Sequence, residues 1–174
     1  VRSGAGKVFL RVPGKVGPYC IGVQPEVMVK SVGTGDSFTA EDAESIIEES
    51  RNWSVLAMGP GMGKDDRTRE FLKRVLAGTT CPVVLDADAL NLLAGEKEFI
   101  RSLGQGLIVT PHLAEFSRLS GLSLDDIKED LIGTARAFAA DWKVNLVLKG
   151  APTLIVSAKT GNVYVNPTGN AGMA

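Results

Sequence analysis

The stretch SVLAMGPGMG, residues 54–63, decides the fold because it joins a short apolar run to a cluster of glycines. A continuous apolar run, unlike an alternating one, is typical of a strand buried on both faces of a parallel sheet. The glycines that follow predict a loop in which bare backbone lies open to a ligand. A plain tight turn remains the alternative, because GPGMG matches neither GxGxxG nor a phosphate-binding loop ending in Gly-Lys-Ser/Thr.

Three more apolar runs end in polar or glycine-bearing segments. They are PVVLDADALN (82–91), GLIVTPHLAE (106–115) and NLVLKGAPT (145–153). Helix-length amphipathic segments separate the four runs, and this alternation predicts βαβ units with a parallel sheet. Because ligands bind outside the carboxyl ends of the strands in such sheets, we expect the four segments to converge on one cleft.

The rest of the chain adds elements on both sides of this block. The sequence predicts strands at Lys7–Val12 and Glu26–Val32, a helix at Thr39–Arg51, and one long helix at Ser123–Trp142. Two short apolar runs within residues 153–165 predict a C-terminal β-hairpin with a glycine-bearing turn. We therefore expect one α/β domain over residues 1–174, a layered sandwich with a mostly parallel central sheet and this hairpin.

The composition excludes several classes of function. The 174 residues carry 19 Lys and Arg against 20 Asp and Glu, a formal net charge of −1. That balance gives no electrostatic footprint for nucleic acid or for an anionic membrane. No apolar stretch approaches the roughly 20 residues of a membrane helix. Two cysteines, Cys20 and Cys81, are too few for a disulfide scaffold, so we expect a reducing, cytoplasmic setting.

The strand ends contain the candidate functional residues, and each has a structural alternative. His112, the only histidine, is expected to hydrogen-bond a ligand amide or hydroxyl, although a lone histidine is often purely structural. Asp86 and Asp88 suit a sugar or a metal-bound phosphate, or else cap the helix that follows. Asn91 is expected to be structural. Lys149 is a candidate cation for a nucleotide phosphate, or an ordinary surface charge. A single histidine without a cysteine cluster does not match a zinc site.

Five segments occur in the order and spacing of one known family. They are GPGMG (59–63), PVVLDADALNLL (82–93), IVTPHLAEFSRL (108–119), LVLKGAPTLI (146–155) and NPTGNAGMA (166–174). The chain resembles the ADP/ATP-dependent NAD(P)H-hydrate dehydratases, and the opening RSGAGKV (2–8) resembles the end of their RxGAGLV helix. The resemblance implies a ribokinase-like three-layer sandwich. It also implies an enzyme that repairs the hydrated cofactors NADHX and NADPHX, with ADP or ATP as co-substrate.

The resemblance also implies where the ligands bind. Gly61 and His112 are expected to face the hydrated dinucleotide. The residues expected to line the AMP portion of the nucleotide are Lys149, Gly150, Ala151, Pro152 and Thr153. The residues expected to support the cleft are Asp86, Asp88, Asn91, Glu115, Asn166 and Asn170. Mg²⁺ is implied by the phosphate chemistry, not by any set of metal ligands in the sequence.

Two departures from the family pattern bear on function. TPHLAE has Ala114 where the family has glycine, a small change that we expect to be tolerated. More seriously, the family continues after NAGMA into TGGSGD, which supplies an anion hole and the catalytic Asp, whereas this sequence stops at Ala174. The family's substrate-binding alanine upstream of RxGAG is also absent. We therefore expect a fragment of a longer chain, whose catalytic residue lies beyond Ala174.

Further expectations and alternatives follow from the resemblance. The family domain is often fused behind an epimerase domain, which would explain the abrupt start without Met. A homo-oligomer, specifically a tetramer, is implied as well. One alternative function is a small-molecule kinase with the same ribokinase-like fold. The other is a non-catalytic nucleotide-binding module, which applies if the protein truly ends at Ala174.

Overall fold

The computed structural model describes residues 4–104 and 106–168. These residues contain eight strands: β1 (Val8–Pro13), β2 (Val27–Val32), β3 (Leu56–Met58), β4 (Val83–Leu85), β5 (Leu107–Val109), β6 (Asn145–Leu148), β7 (Thr153–Val156) and β8 (Val163–Asn166). Strands β3 to β8 form one sheet in chain order. Its first four strands are parallel, and β7 and β8 add an antiparallel hairpin. The predicted parallel block and the predicted hairpin are both confirmed.

Helices lie between successive strands from β1 to β6. They are α1 (Gly17–Cys20), α2 (Ala43–Ser50), α3 (Asp66–Gly78), α4 (Asp88–Leu92), α5 (Lys97–Ser102), α6 (Leu113–Ser120), α7 (Leu124–Glu129) and α8 (Leu131–Trp142). A short 3-10 turn at Ala40–Asp42 leads into α2. Within the part of the chain that the structure describes, none of these helices has the length and apolar character to cross a membrane.

The single long helix predicted for residues 123–142 is wrong, because α7 and α8 are separate helices. Asp130 lies between them with φ −138° and ψ 75°, outside the helical region. Its carboxylate accepts a hydrogen bond of 2.8 Å from the N–H of Gly133 and so caps the start of α8. Apolar residues keep their helical spacing on both sides of Asp130. The sequence pattern therefore does not distinguish an aspartate that caps a new helix from one on the polar face of a continuous helix.

Strands β1 and β2 pair with each other in parallel and form a second, two-stranded sheet. The sequence predicts both strands. It does not predict that they form a sheet of their own, separate from the main sheet in the described part of the chain. The pattern of apolar residues in a strand indicates which side chains are buried. It does not indicate which other strand will pair with it. The ladder covers six residue pairs, from Val8 opposite Val27 to Pro13 opposite Val32.

The main sheet buries one face more completely than the other. The side chains on the buried face include Leu85, Val109, Leu146 and Leu154, which are at most 1% exposed. On the opposite face, Val84 and its register neighbour Ile108 are only partly buried, and Ile155 is exposed. The continuous apolar runs predict a sheet that is buried on both faces. In the described residues, one face is buried and the other is only partly buried. The well-packed face fixes the strands whose ends form the cleft described next.

Candidate functional site

The carboxyl ends of the parallel strands are joined by backbone hydrogen bonds into one continuous edge. The N–H of Asp86, just after β4, donates to the carbonyl of Met58 at the end of β3, at 3.1 Å. The N–H of Thr110, just after β5, donates to the carbonyl of Leu85 at 3.0 Å. Parallel pairing brings these ends to the same side of the sheet. The predicted convergence of the strand ends is confirmed.

The glycine loop after β3 requires glycine for two different reasons. Gly59, Gly61 and Gly63 all have positive φ, at 132°, 69° and 90°. A Cβ on Gly59 would lie 1.7 Å from the carbonyl oxygen of Asp86, so the loop passes too close to the next strand end for any side chain. A Cβ on Gly61 would meet nothing within 4 Å. The loop is a tight turn, and it leaves open space above Gly61.

Asp88 holds this loop in place. Its Oδ2 accepts a hydrogen bond of 3.1 Å from the N–H of Gly63, and its Oδ1 lies 3.4 Å from the Nζ of Lys64. The alternative that the aspartates cap α4 is wrong, because the residue at the N-cap is Ala87, which has no side-chain cap. Lys64 was missed at the sequence level, although its position directly after GPGMG marks it as a second cation at the cleft.

Lys149 forms an ion pair inside the cleft and is not a free surface charge. Its Nζ donates to Oδ1 of Asp86 at 2.6 Å, and its backbone N–H donates to the carbonyl of Pro111 at 2.8 Å. Burial favours a higher pKa for Asp86. The hydrogen bonds from Lys149 and from the N–H of Ala87, together with the Lys149 charge, outweigh burial and lower the pKa. Asp86 is therefore held as an anion beside a fixed cation.

His112 caps helix α6 through one ring nitrogen, and its imidazole is still partly exposed. Its Nδ1 accepts hydrogen bonds from the N–H groups of Ala114 at 3.1 Å and Glu115 at 3.3 Å. An Nδ1 that accepts has no proton, so the neutral ring has its proton on Nε2 and can donate only from there. The side chain is 41% exposed. The structural and the ligand-binding interpretations of this histidine are thus compatible.

Glu115 completes the cap of α6. Its Oε2 accepts a hydrogen bond of 3.0 Å from the N–H of His112. Only 7% of the surface of Glu115 is exposed. The same Oε2 lies 4.0 Å from the Nζ of Lys149. The pattern His-x-x-Glu is a capping box with histidine in the place usually taken by serine or threonine, which explains why the sequence pattern did not predict the cap.

The other predicted site residues lie around this group. Asn91 donates from Nδ2 to the carbonyl of Ala87 at 3.1 Å and accepts from Arg118 at 2.8 Å, so its described contacts are within the protein. Thr153 donates from its hydroxyl to the carbonyl of Gly150 at 2.9 Å and closes an exposed turn. The exposed residues inside that turn are Ala151 and Pro152, which are joined by a cis peptide bond. Asn166 pairs with Thr153 across the hairpin. Asn170 lies outside the described residues.

No group of three or more His, Cys, Asp or Glu side chains within residues 4–104 and 106–168 is arranged to hold a metal ion. The cleft carboxylates of Asp86, Asp88 and Glu115 each accept a hydrogen bond from an N–H group or an ammonium. Carboxylate oxygens are ligands that Mg²⁺ prefers, yet Mg²⁺ commonly relies on substrate phosphates and water for most of its ligands. Among the described residues, these carboxylates are therefore separate hydrogen-bond acceptors and not a preformed set of metal ligands.

Comparisons with known proteins agree with this geometry. A family model described as NAD(P)H-hydrate dehydratase (Carb_kinase) matches residues 1–174. The chain is 37% identical over 176 residues to a bifunctional NAD(P)H-hydrate repair enzyme, Nnr, of Moorella thermoacetica, covering 100% of this chain and 33% of that protein. It is similar to the structure of a ribokinase-like superfamily protein of Enterococcus faecalis, with a TM-score of 0.79 at 26% identity, covering 98% of this chain and 56% of that one.

A second solved structure is informative about ligands. The chain is 26% identical to the ADP/ATP-dependent NAD(P)H-hydrate dehydratase of Bacillus subtilis co-crystallised with ATP/Mg²⁺, with a TM-score of 0.70. That match covers 97% of this chain and 56% of the Bacillus protein. The ribokinase-like fold expected from the sequence is confirmed by these neighbours. The chain spans between a third and little more than half of the length of the relatives it matches.

Proposed function

Because the chain belongs to the NAD(P)H-hydrate dehydratase family, we propose that the protein converts NADHX and NADPHX back to NADH and NADPH at the expense of ADP or ATP. The observation that carries the proposal is the convergence of the glycine loop, Asp86, His112 and Lys149 on one sheet edge. This edge is where α/β folds bind nucleotides. The family match over all 174 residues supports the choice of reaction.

We assign two halves to the cleft. Gly61 and His112 face the hydrated dinucleotide, supported by the open space above Gly61 and by the partly exposed imidazole of His112. The residues assigned to the AMP portion of the nucleotide are Lys149, Gly150, Ala151, Pro152 and Thr153. The exposed, small side chains of this turn leave backbone free for a ribose or an adenine. Asn166, at the end of β8, is assigned to the phosphate side of the cleft, and Asn170, which lies outside the described residues, is assigned to the same side by family resemblance.

The chemistry asks the protein mainly for positioning and for charge compensation. The hydroxyl oxygen of the hydrate takes the terminal phosphoryl group of the nucleotide. The C–O bond then breaks with the electron pair leaving on phosphate, while the lone pair of the ring nitrogen forms a C=N bond to the same carbon. Loss of a proton from the neighbouring ring carbon to solvent converts this cation into the ring C=C bond and returns the electron pair to the nitrogen. Lys149 offsets phosphate charge, and the Nε2–H of His112 donates to an oxygen of the dinucleotide. The acid/base group that handles the hydroxyl proton is assigned to the Asp of a TGGSGD segment after Ala174.

Mg²⁺ fits this cleft as a companion of the nucleotide. It would neutralise phosphate charge and polarise the terminal phosphoryl group toward attack by the hydroxyl oxygen. Asp86, directly after β4 at the sheet edge, is the carboxylate assigned to contact a phosphate-bound cation, and its ionised form suits this role. Burial raises the pKa of its carboxyl, but the hydrogen bond and charge of Lys149 and the N–H of Ala87 outweigh burial and lower the pKa. The remaining oxygens around such a cation would come from phosphate and water.

We also propose the setting in which the cleft works. Residues 1–174 form most of one ribokinase-like domain, and the Moorella relative, of which they span 33%, shows that a longer chain can contain this domain. The protein assembles as a homo-oligomer, a tetramer by family resemblance, in the cytoplasm. The two cysteines, Cys20 and Cys81, are free in the structure, which suits a reducing compartment.

The decisive experiment is recovery of reduced cofactor. Purified NADHX is incubated with the full-length protein and with ADP, ATP or no nucleotide, while the absorbance band of reduced nicotinamide is followed. We expect NADH to form only with a nucleotide and to be accompanied by one equivalent of inorganic phosphate. Accumulation of a phosphorylated small molecule without NADH would support the kinase alternative. Nucleotide binding without any turnover would support the non-catalytic module.

The two halves of the cleft are separable by substitution. We expect His112→Ala to raise the KM for NADHX about tenfold while changing the KM for the nucleotide little, because one charge-neutral hydrogen bond is lost. Lys149→Met is expected to do the opposite, because it removes the cation from the phosphate side. Equal effects of both variants on both substrates would contradict the assignment of the halves.

A further inference from the structure

Glu115 is the one charged residue that is buried among residues 4–104 and 106–168, with 7% of its surface exposed. It lies in the first turn of α6, a helix of eight residues, three residues after His112. Burying a carboxylate is costly unless it is paired and hydrogen-bonded. The partners of Glu115 therefore indicate what its burial accomplishes.

Both partners of this carboxylate are residues assigned to ligands, and they belong to opposite halves of the cleft. Oε2 accepts the N–H of His112 at 3.0 Å and lies 4.0 Å from the Nζ of Lys149. Oε1 lies 3.4 Å from the Nε2 of His112. One buried group thus contacts the hydrate side and the nucleotide side at once.

Backbone pairing fixes the main-chain positions of His112 and Lys149 relative to each other. It does not fix the positions of the imidazole and the ammonium group at the ends of their side chains. A parallel β-bridge joins the two residues, and the N–H of Lys149 bonds to the carbonyl of Pro111. The Lys149 ammonium lies between two carboxylates, Asp86 at 2.6 Å and Glu115 at 4.0 Å. Without Glu115, the ammonium would be attracted to Asp86 alone, and the Nε2 edge of the imidazole would lose its neighbouring anion.

Resting on the proposed function, we propose that Glu115 is a positioning residue that sets the His112 imidazole and the Lys149 ammonium together. It contacts neither substrate. Its negative charge and its place at the helix N-terminus, where an anion is stabilised, keep it fixed as ligands enter. Because Glu115 holds both side chains, the hydrate bound by His112 and the phosphates bound by Lys149 keep a fixed position relative to each other during the dehydration.

The test uses Glu115→Gln in the full-length protein, with Glu98→Gln as the matched control. Glu98 is a carboxylate on α5 whose side chain is 82% exposed. We expect Glu115→Gln to raise the KM for NADHX and the KM for the nucleotide, each about fivefold to tenfold, because a charge-assisted contact is lost on each side. The control is expected to match the wild type. Glu115→Gln keeps the size of the side chain and an acceptor for the His112 N–H, so it removes the charge without leaving a cavity or an unpaired N–H.

Double variants show whether Glu115 acts through its two neighbours. We expect Glu115→Gln to add little to the NADHX defect of His112→Ala and little to the nucleotide defect of Lys149→Met. Full additivity in both pairs would overturn the proposal. So would a lower thermal midpoint with unchanged kinetic constants, or a change confined to the Mg²⁺ requirement. If the wild type recovers no NADH, the proposed function fails. If the wild type is active and Glu115→Gln behaves like the control, this inference alone fails.

Discussion

Ala87 is the residue at which the cleft holds its most unusual backbone. It lies between Asp86 and Asp88 with φ 50° and ψ −119°, a conformation that residues with a Cβ rarely adopt. Such a residue costs on the order of 1–3 kcal/mol and persists where surrounding contacts determine it. Here those contacts are the hydrogen bonds that aim Asp86 at Lys149 and Asp88 at Gly63. The strained peptide places two neighbouring carboxylates on different partners.

Ala87→Gly should separate stability from binding. Glycine adopts this backbone conformation without strain, which stabilises the fold. Its greater freedom in the unfolded chain opposes this by roughly 0.4–1 kcal/mol. We expect the free energy of unfolding to stay level or rise by about 1 kcal/mol, while the KM for the nucleotide rises several-fold because Asp86 is held less firmly. Urea denaturation and steady-state kinetics measure the two effects.

Ala140→Gly is the control for Ala87→Gly. Ala140 is an exposed residue inside α8, where glycine should cost about 1 kcal/mol and leave the kinetics unchanged. A loss of stability at Ala87 as large as that at Ala140 would show that the Ala87 backbone is not strained.

At the scale of elements, α3 shows how a single cap contributes to the strand–helix–strand unit next to the glycine loop. Asp65 accepts hydrogen bonds from the N–H of Thr68 at 3.0 Å and from its hydroxyl at 2.9 Å. The bond from the Thr68 N–H is the main cause that lowers the pKa of Asp65. We expect Asp65→Ala to lower the free energy of unfolding by about 1 kcal/mol. Asp66→Ala is a close control, because the Asp66 side chain is 92% exposed.

The cap at Asp65 should weaken in acid. A carboxyl whose pKa is lowered by folding stabilises the protein above its unfolded pKa, about 3.9 for Asp, and loses that contribution as the pH falls through the lower folded value. The difference in unfolding free energy between the wild type and Asp65→Ala should therefore be complete near neutral pH and shrink in acid. Urea midpoints measured over a pH series check this. A difference that stays constant down to pH 2 would show that the cap does not depend on the charge.

The elements that the sequence predicts well are those set by local chemistry. Apolar runs ending at Asp86, Thr110 and Lys149 are followed by turns, and parallel pairing then brings their ends together without further information. The break at Asp130 was missed because the helical spacing of apolar residues continues on both sides of it. The cap by His112 was missed because histidine seldom takes that role, even though the glutamate three residues later marks a helix start.

At the scale of the whole molecule, contacts around Glu49 join the two-stranded sheet to α2, in addition to the burial of Val32 of β2 in the core. The Glu49 carboxylate pairs with Arg11 of β1 and with Lys30 of β2. The Arg11 guanidinium also lies 5.3 Å from the ring centroid of Phe9 and 5.6 Å from that of Trp53. The side chain of Arg11 is only 13% exposed, so its charge is paired in a partly desolvated place. No pattern in the sequence predicts these ion pairs, because Glu49 is 38 residues from Arg11 and 19 residues from Lys30.

This arrangement predicts that β1 and β2 open before the rest of the fold. The pair has exposed apolar side chains such as Phe9 and Met28, and local opening begins where few buried contacts hold a segment. Backbone amides of β1 and β2 should therefore exchange with deuterium faster than those of β4, β5 and β6. Glu49→Gln should speed exchange in β1 and β2 severalfold further and leave β4 to β6 unchanged, because it removes the anion shared by Arg11 and Lys30.

The matched variant and the pH dependence make this prediction specific. Glu70→Gln removes an exposed carboxylate paired with Arg74 on α3, and it should change exchange in neither sheet. The hydrogen bond from Lys30 is the main cause that lowers the pKa of Glu49, with burial opposing it and Arg11 adding to it. Protonation of Glu49 in acid should thus reproduce the effect of Glu49→Gln once exchange is corrected for its intrinsic pH dependence. Equal protection of both sheets in the wild type would mean that they unfold as one unit, and that the join around Glu49 is not the weakest place in the molecule.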